Sequence, residues 1–312
     1  MNFNFKNTFF LSVIVFTIII IFLFDPIIFG GKLFGSPDSL SPRSVAMALN
    51  KASESIGGYP LWQPWVFSGM PTAESFSYLS KLYFPEYIFK IFSFSGSTIQ
   101  FIHLIFSGLG CMVLLRELLC SRAASFLGAI AFMTTPFMIT MAVYGHGSQL
   151  MTAAYIPWAL WLSIKSWEKP SLINTGSLAL ILGFQLQRAH AQIAYYTWLL
   201  IGLYFLIMLI YSAREKNEKL ILSKKLLLIM IACILGIGIS ALIYIPAVEY
   251  TPFSVRGGSS SGGSDYNYAT GWSFHPFEIL TFFIPSSFGF GGQVYWGYMP
   301  FTDYPNYMGI II

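Results

Sequence analysis

Charge is what this chain has least of. Only 10% of its 312 residues are Asp, Glu, Lys or Arg, against about 25% in an average soluble domain. A water-exposed surface cannot be built from so few charges, so a soluble globular class is excluded at the outset. The net charge of +4 is small and spread along the chain, and no basic block interleaved with aromatics marks a nucleic-acid partner. Cysteine is sparse too. Cys111, Cys120 and Cys233 sit in or beside apolar runs, without metal-ligand spacing, and read as packing residues and not as a disulfide framework. Four histidines, far apart in sequence, do not make a tight zinc cage. A Walker loop, a Rossmann glycine fingerprint, His-Glu-x-x-His and Gly-x-Ser-x-Gly are all missing, which removes the nucleotide, zinc-protease and serine-hydrolase chemistries they carry.

What fills the chain is apolar: 55% hydrophobic, 18% aromatic and a mean hydropathy of +0.66. A helix needs about 20 apolar residues to cross a bilayer. Runs near that length fall at roughly 9–29, 98–116, 123–142, 150–165, 171–187, 190–212 and 226–247. The fourth and fifth are short and fit either full crossings or a re-entrant pair. The first run meets Asp25-Pro26 and then Ile27-Ile28-Phe29, not a small-x-small cleavage site, so it reads as a retained anchor. With Lys6 and the N-terminus placed in the cytoplasm, Arg116, Arg122, Lys165, Lys169 and the cluster Arg214, Lys216, Lys219, Lys224, Lys225 all fall on the cytoplasmic side, as the positive-inside rule requires. The expected fold is an all-α polytopic helical bundle of about seven spans in a single transmembrane domain over 1–312. Two long structured outer loops, 30–97 and 248–306, complete it. A short amphipathic helix is expected over Arg43–Ser55, opened by Ser41-Pro42. Met308-Gly-Ile-Ile-Ile312 reads as the start of an eighth span, so the chain is expected to be the N-terminal part of a longer protein, with the C-terminal part missing.

Costly polar residues gather near the expected outer ends of several spans, and such groups are functional hypotheses by default. Asp38 follows the first span, where a carboxylate can act as general base toward a hydroxyl; it equally fits a helix N-cap or Asx-turn. Glu74 fits a second carboxylate or metal ligand, or an exposed loop charge. His146, in Gly145-His-Gly-Ser-Gln149, fits a phosphate contact or an interfacial turn with a solvated His. In Gln185-Leu-Gln-Arg-Ala-His-Ala-Gln192, a continuous helix would bring Gln185, Arg188 and Gln192 onto recurring positions, with His190 on an adjacent face. The Arg188 fork suits a phosphate held by two parallel hydrogen bonds, although an arginine there can also snorkel to headgroups. His275 and Glu278 form a weaker group that reads also as a helix start.

Five segments taken together resemble a known family. They are Pro60-Leu-Trp-Gln-Pro-Trp-Val-Phe-Ser-Gly-Met-Pro71, Gly145–Gln149, Gln185–Tyr196, Trp272-Ser-Phe-His-Pro-Phe-Glu-Ile-Leu-Thr281 and Tyr295-Trp-Gly-Tyr-Met-Pro-Phe-Thr302. In this order and with this span pattern, the chain resembles the YfhO-type bacterial membrane proteins of the GT-C superfamily of membrane glycosyltransferases. The resemblance implies an enzyme of the bacterial cytoplasmic membrane. It would move a sugar from a polyprenyl-phosphate carrier to a glycan, lipid or protein acceptor on the outer side, with inversion. It also implies an acidic residue in the first outer loop as catalytic base, here Asp38. Arg188, His190, Gln192, His146, Gln149, Glu74 and Gln63 are the expected donor-phosphate and substrate-binding set. Where many members carry Asp-x-Asp or Glu-x-Asp, this chain has a lone Asp38 followed by Ser39; a divalent metal is therefore left open and no other cofactor is implied. Asp38 and Arg188 are expected to converge in one cavity facing away from the cytosol. The competing class is a non-enzymatic transporter, or a lipid-handling or envelope-assembly protein, using the same polar residues to bind an ion or headgroup.

Overall fold

The computed structural model describes residues 5–72, 82–213, 219–254, 257, 265–302 and 306–307. Glu74, Lys81, Arg214, Lys216, most of the Gly/Ser stretch around 258–264 and the segment Met308–Ile312 lie outside the described residues. The chain divides into two compact units. The first comprises Met1–Leu33, Leu79–Met133 and Gly147–Ile243; the second comprises Phe34–Tyr78, Thr134–His146 and Tyr244–Ile312.

The elements described in the first unit are helices: α1 (Phe5–Ile28) and, after α2 of the second unit (Pro37–Ile56), α3 (Pro85–Ile91), α4 (Gly96–Glu117) and α5 (Arg122–Met133). Past α6 of the second unit (Pro136–Val143), it continues with α7 (Gly147–Ala153), α8 (Ile156–Glu168), α9 (Leu172–Gln187), α10 (Ala191–Ala213) and α11 (Lys219–Tyr250), the last running beyond the division at Ile243. α4 is the hub, packed on α1, α5, α7 and α8. Its sequence explains why. Ser95 caps it through Thr98 N–H at 3.1 Å, and glycines at 108 and 110 remove side chains where partners press closest. A methyl group at Gly110 would overlap the Trp158 indole, whose Nε1 donates to the Phe106 carbonyl at 2.8 Å. A satellite core of Ala159, Leu162, Leu178, Ala179, Leu182, Ile201 and Ala232 joins α8, α9, α10 and α11.

Five stretches are long and apolar enough to cross a membrane: Thr8–Ile28, Gly96–Glu117, Arg122–Val143, Ala191–Ser212 and Leu222–Phe253. In the α4 window 61% of residues are buried, in the α10 window 17%. The exposed residues of α10 include Leu199, Leu200, Leu203, Leu206, Ile207 and Ile210, a surface suited to hydrocarbon and unsuited to water. The short run anticipated at 150–165 is divided between α7 and α8, with a break at Ala154–Tyr155, and the run at 171–187 appears as α9; α8, of 13 residues, and α9, of 16, are each shorter than a perpendicular crossing. Near the end of α1, Pro26 has no N–H to donate, and the helix is interrupted at Phe24 (φ −126°, ψ 24°).

The second unit holds the smaller elements. α2 starts six residues earlier than Arg43, because Ser36 accepts from Ser39 N–H at 3.2 Å and Pro37 takes the first helical position. Pro42 lies inside the helix, not at its start. A hairpin of β1 (Trp62–Gln63) and β2 (Met70–Pro71) pairs Trp62 with Pro71 and Gln63 with Met70. α12 (Tyr266–Thr270) and a 3-10 helix at Pro276–Phe282 follow. The 3-10 helix begins with a capping box between His275 and Glu278, so these two residues occupy a helix start. Fully buried, the Glu278 carboxylate accepts from the Tyr295 hydroxyl, from Tyr298 N–H at 3.1 Å and from His275 N–H at 3.3 Å.

Candidate functional site

Arg188 sits where α9 ends. Gln187 is the last helical residue, Arg188 is the C-cap, Ala189 takes a left-handed φ of +56°, and α10 starts at Ala191. The helical register anticipated across Gln185, Arg188 and Gln192 is therefore broken between Arg188 and Ala191. Gln192 lands exposed on α10, donating to the Tyr196 hydroxyl at 3.1 Å. His190 Nδ1 accepts from Ile193 N–H at 3.3 Å, which makes it the cap of α10. Two neighbours brace the break. Gln187 donates to the Ile239 carbonyl of α11 at 2.9 Å and accepts from Phe84 N–H at 3.1 Å. The Ser148 hydroxyl of α7 donates to the Arg188 carbonyl.

The guanidinium turns into the protein. Arg188 is 7% exposed, and its Nε has no hydrogen-bond partner among the described residues. Among those residues no carboxylate comes within 4 Å of it. The Tyr83 ring lies against it, with the guanidinium carbon 4.4 Å from the centroid, and Tyr155 and Glu86 also act on its charge. A buried charge without a counter-ion costs several kcal/mol, and a ring face returns about 2 kcal/mol when desolvated.

Behind Tyr83 lies a polar chain. Its hydroxyl is 2.8 Å from His103 Nε2 and also hydrogen-bonds the Tyr155 hydroxyl; His103 Nδ1 is 2.7 Å from the Ile99 carbonyl. Tyr83 is 1% exposed, and burial pushes its pKa up to about 12 against the opposing pull of Arg188. Glu86, in the first turn of α3, has its pKa raised by burial, again with Arg188 opposing. Tyr83 and Tyr155 also line an apolar cavity of about 390 Å³, walled by Ile88, Phe89, Ile102, Phe106, Ile181 and Phe184.

The other anticipated residues divide by unit. In the second unit, Asp38 is in the first turn of α2, where a carboxylate favours the helix dipole; Ser36, not Asp38, is the cap. Its side chain is exposed, with Oδ2 3.9 Å from His146 Nε2. Gly145 lets this approach happen: at φ +89° a methyl group there would strike the backbone of Asp38 and Ser39. Gln63 is buried in β1. In the first unit, Gln149 is half-buried on α7, and Gln185 is fully buried, donating to Thr197 Oγ1 at 2.9 Å. Among the described residues no three His, Cys, Asp or Glu side chains come together as a metal site. Sequence reasoning missed Tyr83, His103 and Tyr155. The signal was there for one of them: His103 is an ionisable residue in the middle of an apolar run.

Comparison of the chain with protein-family models, with curated proteins and with solved structures returned no match.

Proposed function

We propose that the chain is a GT-C-type membrane glycosyltransferase that moves a sugar from a polyprenyl-phosphate donor to an acceptor hydroxyl on the outer side of the membrane, with inversion. The observation that carries this reading is Arg188: a buried cation with no carboxylate within 4 Å among the described residues and with Nε unpartnered there, near an apolar cavity, in an all-α chain with helices fit to cross a bilayer. The ligand that satisfies both surroundings is amphiphilic, with an oxyanion head and an apolar tail.

In the proposed reaction the acceptor oxygen attacks the anomeric carbon of the sugar from the face opposite the phosphate. Its proton goes to the Asp38 carboxylate, and the bond from the anomeric carbon to the phosphate oxygen breaks. The polyprenyl phosphate leaves carrying the extra negative charge, which Arg188 stabilises. Electrostatic stabilisation of developing charge is often the largest catalytic contribution. A phosphate leaves without protonation, so no second carboxyl is needed as acid, in contrast to glycoside hydrolysis. His146, 3.9 Å from Asp38, supports the base by orienting it.

The test is Asp38→Asn, expressed in cells whose own copy has been removed. Transfer is expected to fall by about 10²–10⁴-fold, the usual contribution of a general base, with protein level and helix content unchanged. Full glycan modification by this variant would remove Asp38 from the chemistry. A protein that only carries or binds the lipid would keep donor binding and show no transfer in the wild type.

A further inference from the structure

An arginine buried in an apolar setting is ordinarily held by a carboxylate, which neutralises it and occupies its fork. Arg188 is held in another way. The Tyr83 ring lies under it at 4.4 Å, and the Nε edge is left without a partner among the described residues. What fixes the ring is a one-way chain of hydrogen bonds. The Ile99 carbonyl can only accept, so His103 Nδ1, at 2.7 Å, must donate to it. In a neutral imidazole Nε2 then has only a lone pair, and the Tyr83 hydroxyl at 2.8 Å donates to it. The Tyr83 proton is thereby committed, so the contact with Tyr155 runs from the Tyr155 hydroxyl to the Tyr83 oxygen. One backbone carbonyl of α4 thus sets every proton in the chain. The direction matters to Arg188. A phenol that donates to a strong acceptor gains electron density, and a more negative ring face holds a cation better. Phe89 and Phe106 edges around His103 pack the chain in place.

We propose that Tyr83, backed by His103 and Tyr155, is a positioning residue that grips the Arg188 guanidinium by its face and so keeps the Nε edge open for the two oxygens of a lipid phosphate. This rests on the proposed donor and adds to it the group that makes Arg188 available. Tyr83 itself does not touch the reacting atoms.

The test uses the full chain in detergent with two probes, farnesyl phosphate and inorganic phosphate, each titrated against the thermal unfolding midpoint. Four proteins form a double-mutant cycle: wild type, Tyr83→Leu, Arg188→Lys and the double variant. Farnesyl phosphate is expected to stabilise the wild type, and Tyr83→Leu to weaken its binding by about thirtyfold, the value of a desolvated cation–ring contact. In the Arg188→Lys background the same Tyr83→Leu change is expected to cost less than about threefold, because its effect passes through the guanidinium. Equal losses in both backgrounds would make Tyr83 a merely structural residue and overturn the inference while leaving the proposed donor intact. Wild-type affinity for Tyr83→Leu would overturn it also. If Tyr83→Leu does not fold, Tyr83→Phe, which keeps the ring and loses the hydroxyl chain, replaces it in the cycle with an expected loss of about three- to tenfold; wild-type affinity or an equal loss in both backgrounds counts against the inference as before. Equal binding of both probes, with the coupling retained, would keep the clamp and remove the lipid donor. Binding of neither probe by the wild type would remove both.

Discussion

Ala189 is the smallest feature on which the site depends. Its φ of +56° places an L-residue in the left-handed region, which a methyl side chain tolerates and a β-branched one does not. The turn it makes ends α9 and aims Arg188 inward. Ala189→Val is therefore expected to lower stability by roughly 1–3 kcal/mol, read as a lower midpoint of thermal unfolding, whereas Ala189→Gly is expected to stay within about 1 kcal/mol of wild type. If valine is accepted without loss, the turn is not under the constraint described. At this scale the sequence was half readable. Arg188 stood out because a guanidinium between two apolar runs is costly. Its surroundings were hidden, since Tyr83 and Tyr155 are 72 residues apart and nothing local marks either. Asp38 could be placed near a helix start, but whether it or Ser36 would be the cap depends on one backbone conformation. The broken register at Gln192 has the same cause: a left-handed alanine gives no local warning.

Among the elements, α4 bears most of the packing, and its glycines show how. The Trp158 indole lies against Gly110 so closely that a methyl group there would overlap ring atoms. Gly110→Ala is expected to destabilise by about 1–3 kcal/mol, as overpacking usually does, and to displace Phe106, which stacks on Trp158 at 5.1 Å. Phe106 also walls the apolar cavity, so the fall in unfolding midpoint should be joined by weaker farnesyl phosphate binding. An unchanged midpoint would mean that α4 and α8 are not packed as described. Helix positions were well marked by apolar runs: 171–187 became Leu172–Gln187 and 190–212 became Ala191–Ala213. Interruptions were less visible. The run at 123–142 breaks where Thr135 caps a new helix through Met138 N–H and Pro136 opens it. Threonine and proline mark that break in the sequence, yet continuous hydrophobicity masks it.

For the whole molecule, scarcity of charge sets the class. An all-α chain with α10 and α11 exposing leucine and isoleucine keeps its backbone polar groups paired within helices, as a bilayer demands. In such surroundings a buried guanidinium with no carboxylate within 4 Å among the described residues is an expensive feature, and under the proposed function a lipid phosphate offsets that expense. The most direct measurement is mass-spectrometric profiling of polyprenyl-phosphate sugars in cells lacking the protein, complemented with wild type or with Arg188→Lys. One lipid-linked sugar is expected to accumulate in the absence of the protein, to disappear with wild type, and to persist at about 10²-fold slower turnover with Arg188→Lys, the loss typical of a missing charge-stabilising donor. Clearance of that species by Arg188→Lys at the wild-type rate would contradict it.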